Sequence, residues 1–154
     1  MRSEQFPVAV VMARVSTDNR WLSERWEARA VIADTQPEAG ARMLVDFERE
    51  RQLLHPGFAI ELRRDEAQGY YLNITSAAPS AFVMWRMQGE VAVPVLVTAS
   101  YDEAARWLDA GENVDAVALP AELIAPLAQF VSENYRPEQK RGRKRDRAAA
   151  PDGQ

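Results

Sequence analysis

The chain has 154 residues, a formal net charge of −4, no cysteine and a single histidine, His55. The lack of cysteine excludes disulfides, thiolate metal sites and cysteine nucleophiles, and one histidine leaves a zinc site short of ligands. The hydrophobic share of 47% suffices for one core, and no apolar run approaches the ~20 residues of a membrane span.

Residues 8–15 predict a first strand, and the polar run at residues 16–20 predicts a turn after it. This start shows no small-residue cleavage site, so no signal peptide is expected and the cytoplasm is the expected compartment. From Trp26 the pattern alternates, with Trp26, Ala28, Ala30 and Ile32 on one face and Glu27 and Arg29 on the other. Period two predicts a half-buried strand. Residues 34–42 hold Pro37 and Gly40 and read as a loop. Residues 43–54 fit either a helical face through Met43, Leu44 and Phe47, or a strand and a loop.

His55-Pro56-Gly57 reads as a turn. A hairpin is expected after it, with Phe58, Ile60 and Leu62 alternating in one arm and Tyr70, Leu72 and Ile74 in the other. Gly69 suits a positive φ in the connecting loop. A second hairpin, residues 82–87 and 91–97, turns at Gln88-Gly89. Pro94 cannot donate to a ladder, so its strand is an edge or carries a bulge. Ser100-Tyr101-Asp102-Glu103 forms a capping box for a helix that Gly111 stops. A second helix starts at Pro120 and presents Leu123, Leu127, Phe130 and Val131 as one stripe, with Pro126 bending it. The sum is one α+β domain over residues 1–135. It has about six antiparallel strands in a bent sheet or small barrel, packed by C-terminal helices.

Residues 136–154 carry seven basic and three acidic side chains, which leaves residues 1–135 at −8. This tail is apolar-poor and is expected to be disordered. Lys140, Arg141, Arg143, Lys144 and Arg145 suit either loose docking on an acidic partner or a solubilising end. An acidic body repels phosphate, so no specific nucleic-acid binding is expected.

The densest candidate cluster is Arg20, Trp21, Arg25 and Trp26. Two tryptophans and two arginines could clamp a planar anion such as a pterin phosphate. They equally suit packing, with arginine stems laid over the rings. Arg64, Tyr71, Trp85 and Arg86 extend the set of ligand- or partner-binding candidates. Tyr70 and Tyr71 should face opposite ways, one into the core and one to the surface. Asp65 and Glu66 are adjacent, and adjacent acids in a solvated loop diverge instead of converging on one substrate atom. His55 lacks a partner serine or cysteine motif. Asn73-Ile74-Thr75 has the form of a glycosylation sequon but falls in an expected strand of a cytoplasmic chain. No catalytic group, metal site or cofactor is expected.

Several stretches together resemble a known bacterial family. They are Pro7-Val8-Ala9-Val10-Val11-Met12, Arg20-Trp21 with Glu24-Arg25-Trp26-Glu27, and His55-Pro56-Gly57. Further ones are Arg64-Asp65-Glu66 with Gly69-Tyr70-Tyr71-Leu72-Asn73, and Phe82-Val83-Met84-Trp85-Arg86. Ser100-Tyr101-Asp102-Glu103-Ala104-Ala105-Arg106 and Tyr135-Arg136-Pro137-Glu138 complete the pattern. The family is the domain-of-unknown-function family 3305, whose members are commonly encoded beside formate dehydrogenase subunits and their maturation factors. The resemblance implies a non-enzymatic accessory protein of a molybdenum- or tungsten-dependent formate dehydrogenase, acting by protein contact. The alternative it leaves open is a small-ligand binder or enzyme of molybdopterin maturation.

Overall fold

The computed structural model describes residues 4–16, 24–36, 38–46 and 49–137, and among them the chain forms seven strands and three helices. Four strands, β1 (Glu4–Ser16), β2 (Glu24–Ala33), β3 (Arg42–Asp46) and β4 (Glu50–Leu62), make an antiparallel sheet of order β2-β1-β4-β3. A 3-10 turn at Arg64–Glu66 leads into α1 (Ala67–Ile74). The strands β5 (Ser80–Gln88), β6 (Val91–Thr98) and β7 (Asn113–Ala118) make a second antiparallel sheet of order β6-β5-β7. Between its last two strands runs α2 (Tyr101–Asp109), and α3 (Ala121–Asn134) ends the described fold. The α+β class holds. The sheets are two and neither closes into a barrel.

Because β1 is flanked on both edges, its unbroken apolar run from Val8 to Ala13 is buried on both faces. Val8, Val10 and Met12 pack toward Ala81, Val83, Ala92 and Val97 of the second sheet and toward Leu123, Leu127 and Phe130 of α3. Burying each of the valine, methionine, leucine and phenylalanine side chains among these contributes about 1.5–3 kcal/mol. The stripe expected on the last helix is therefore the one it buries, with Pro126 accommodated inside the helix.

Several expectations are corrected. Residues 70–74 are not the second arm of a hairpin. They belong to α1, whose buried Ala67, Tyr70 and Asn73 recur every three residues, while Leu72 is exposed. The partner of residues 58–62 is instead β1, through Phe6↔Ile60 and Val8↔Phe58. His55-Pro56-Gly57 is no turn. It lies inside β4 where the register against β1 shifts between Val8 and Val10, and Gly57 takes the positive φ of 91° that this irregularity needs. Burial there lowers the His55 pKa.

The face expected on β2 breaks at Arg29. Val11 pairs with Ala30 and Met12 with Ala28, so Arg29 is an extra residue. Beyond it Val31 turns into the core and Ile32 outward. Residues 43–54 resolve as β3 and the start of β4. The strand β7 replaces what the sequence leaves blank after Gly111. Pro94 does lie on an edge strand, beside a register shift between Met84 and Trp85. Ser16, the first residue of the expected turn at 16–20, still belongs to β1; residues 17–20 and the tail beyond Pro137 lie outside the described residues.

Candidate functional site: an apolar groove with a polar anchor

The side chains of β5 and β7 that point away from the first sheet include Phe82 and Ala116, which are direct cross-strand partners. With α1 on one side and α2 on the other, they floor a groove of about 620 Å³. Leu72 and Ser76 come from the α1 side and Tyr101 from α2. A second hollow of about 160 Å³ shares Phe82, Tyr101 and Ala116 and extends the groove along α2 to Leu108 and Val114. Tyr101 meets Phe82 edge-on at 6.2 Å. Tyr101 is 55% and Leu108 56% exposed, so α2 shows an apolar stripe at i, i+4 and i+7 through Tyr101, Ala105 and Leu108. Ala104 is the residue of α2 that is fully buried, and Trp107 is half-buried.

A buried polar network fixes the two helices that wall the groove. The Ser100 hydroxyl accepts from the Glu103 amide at 3.0 Å, as the capping box predicts. The reciprocal arm differs. The Ser100 amide donates to the Thr98 hydroxyl, which donates to the Glu103 carboxylate at 2.6 Å. Ser100 also donates to the buried Glu66 at 2.6 Å, and the Arg106 guanidinium donates to the other Glu66 oxygen. That bond holds the Arg106 pKa above its ordinary value. Glu66 thus lies in a buried site and not in the solvated loop that its sequence suggests, while Asp65 beside it is exposed. Burial opposes the charge of Arg63, but Glu103, Tyr70, Asp65 and Glu66 together outweigh it and the guanidinium pKa ends up raised. The Tyr70 hydroxyl accepts from the Arg63 amide and donates to the Glu61 carbonyl, and burial pushes its pKa up to about 12.

Asn73 joins this scaffold to the second sheet. Its amide donates to the Ser80 and Ala99 carbonyls at 2.8 and 2.9 Å and its oxygen accepts from the Ser80 amide. The supposed sequon asparagine is therefore a buried staple at the groove's base.

The candidate residues read from sequence do not gather here. Arg20 and Trp21, and Lys140, Arg141, Arg143, Lys144 and Arg145, lie outside the described residues. Arg25 pairs with Glu27 at 3.1 Å. Trp26 and Trp85 come to the same core cluster as half-buried packing groups. Trp85 donates to Asp115 at 2.9 Å, and the same carboxylate oxygen accepts from the Ala28 amide at 2.8 Å, tying β2 to the second sheet. Arg86 forms a two-bond pair with Glu112 on the surface. Arg64 is exposed in the 3-10 turn. Tyr71 stacks on Tyr135 at 4.4 Å, while Tyr70 is fully buried, which is the division expected of that pair.

The sequence reading missed Glu66, Ser100 and Arg106 as one unit, and Leu72, Phe82 and Leu108 as one surface. For the surface a signal existed: Tyr101, Ala105 and Leu108 recur at helical spacing on one short helix. Among the described residues no group of three or more histidine, cysteine, aspartate or glutamate side chains is placed to hold a metal ion, and no helix is long and apolar enough to cross a membrane. No curated protein and no solved structure matches the chain. A family model does, over residues 7–145, and the chain belongs to that family, described as a protein of unknown function (DUF3305).

Proposed function

We propose that this protein is a non-enzymatic accessory factor of a molybdenum- or tungsten-dependent formate dehydrogenase. It acts by direct contact with a subunit of that enzyme or with one of its maturation factors. The enzyme named here comes from the family resemblance. The groove between α1 and α2 is the observation that supports contact as the mode of action. It offers an open apolar floor at Phe82 and Ala116 with Tyr101 and Leu108 standing exposed at its wall. Such a surface suits an apolar segment of another protein.

The rival, a pterin-type ligand held by Arg20, Trp21, Arg25 and Trp26, draws less support, because Arg25 is paired with Glu27 and Trp26 packs on the core. Deleting the gene distinguishes the two. The accessory reading expects formate dehydrogenase activity to fall while other molybdenum enzymes keep theirs. A parallel fall in all of them favours the rival, and normal formate dehydrogenase activity under conditions that demand it removes both.

A further inference from the structure

Among the described residues the two sheets have four edge strands, and three carry a block against further pairing. β2 presents Arg25, Glu27 and Arg29, and its Ala28 amide is already taken by Asp115. β7 carries that Asp115 at its middle. β6 contains Pro94, which has no N–H to offer. The remaining edge, β3, reads Arg42-Met43-Leu44-Val45-Asp46. Its apolar Met43 and Leu44 are 47% and 45% exposed, and its only charges sit at its two ends with opposite sign. Exposed apolar edges of this kind are templates for another strand.

We propose that β3 pairs with β3 of a second copy of this chain, antiparallel, about a two-fold axis at Leu44. In that register Arg42 stands opposite the second copy's Asp46, Met43 opposite Val45, and Leu44 opposite Leu44. The strand is self-complementary: the two-fold repeats each charge pair and places no like charges together. The product is one eight-stranded sheet running through both copies. Leu44 is the extra residue of a bulge against β4, which bends the strand and confines pairing to a short stretch. Five residues span only ~17 Å. The contact therefore falls below the ~1,200 Å² of a standard interface, and the dimer forms reversibly with concentration.

Sedimentation velocity on the full chain over a wide concentration range reads this directly. Asp46 is also held by Arg51 of its own β4 at 3.3 Å, so the charge test starts from Arg42. Arg42→Asp alone should weaken the dimer about tenfold or more, since it places like charges opposite one another twice. The exchange Arg42→Asp with Asp46→Arg and Arg51→Asp, which keeps the pair inside each chain, should recover it to within roughly threefold. Independently, Leu44→Cys supplies the only thiol in the chain and should oxidise to a disulfide-linked dimer much faster than Ile32→Cys, an equally exposed control on β2. A chain that stays monomeric at every concentration overturns the proposal. So does a dimer indifferent to the charge exchange, or one in which both cysteines cross-link alike.

Discussion

A Cβ on Gly69 would lie 2.0 Å from the Ser100 hydroxyl oxygen and 3.1 Å from the Asp102 amide nitrogen. The glycine is there because α1 and the start of α2 touch, and not to supply a positive φ. Gly69→Ala should destabilise by about 3 kcal/mol despite alanine's better helix propensity, because the clash sits against a hydroxyl that is itself bonded to Glu66. A urea midpoint at or above that of the wild type would show that the helices can part freely. Tyr70 gives a pH prediction with a definite sign. Its folded pKa of about 12 exceeds the ordinary tyrosine value of 10.0, so above pH 10 the unfolded chain binds fewer protons than the folded one. Stability should hold below pH 10 and fall between pH 10 and 12 by up to roughly 3 kcal/mol. Tyr70→Phe should be less stable at neutral pH but lack this share of the alkaline loss, as melting curves across that range would reveal.

At the scale of elements, legibility followed how local the cause was. The capping serine, the Leu123–Leu127–Phe130 stripe and the Pro94 edge were readable because each depends on neighbours within one or two turns or one ladder. The segment at residues 70–74 was not. Its alternation of Tyr70, Leu72 and Ile74 satisfies period two, and what selects the helix is distant. Asn73 finds its three partners at Ser80 and Ala99, and Tyr70 packs on Phe130 at 5.7 Å. β7 was illegible for a related reason: it is anchored through Asp115, whose partners are Trp85 and the Ala28 amide in other strands. Asp115→Ala leaves both donors unpaired and should cost about 2–3 kcal/mol. The loss should appear as faster amide exchange at Ala28 than at Val10, since β2 loses its tie to the second sheet before the first sheet opens. Equal exchange at both sites would show that the tie is not local.

On the scale of the whole molecule, the two sheets and three helices leave a broad apolar groove open from Leu72 to Leu108. The sequence carried the components of this surface but not their meeting, since α1, β5, β7 and α2 are brought together by contacts distant in sequence, among them the β5–β7 ladder and the Glu66–Ser100 and Asn73–Ser80 bonds. The groove is the part of the molecule on which the proposed accessory role depends. Tyr101 and Leu108 are more than half exposed, so Tyr101→Ser with Leu108→Ser should leave the melting temperature within about 3 °C of the wild type. The decisive measurement is formate dehydrogenase activity in cells lacking the gene, complemented either with the wild-type gene or with this folded double variant. The account predicts that the wild-type gene restores activity and that the double variant, present at the same level, does not. Full restoration by the double variant would contradict it.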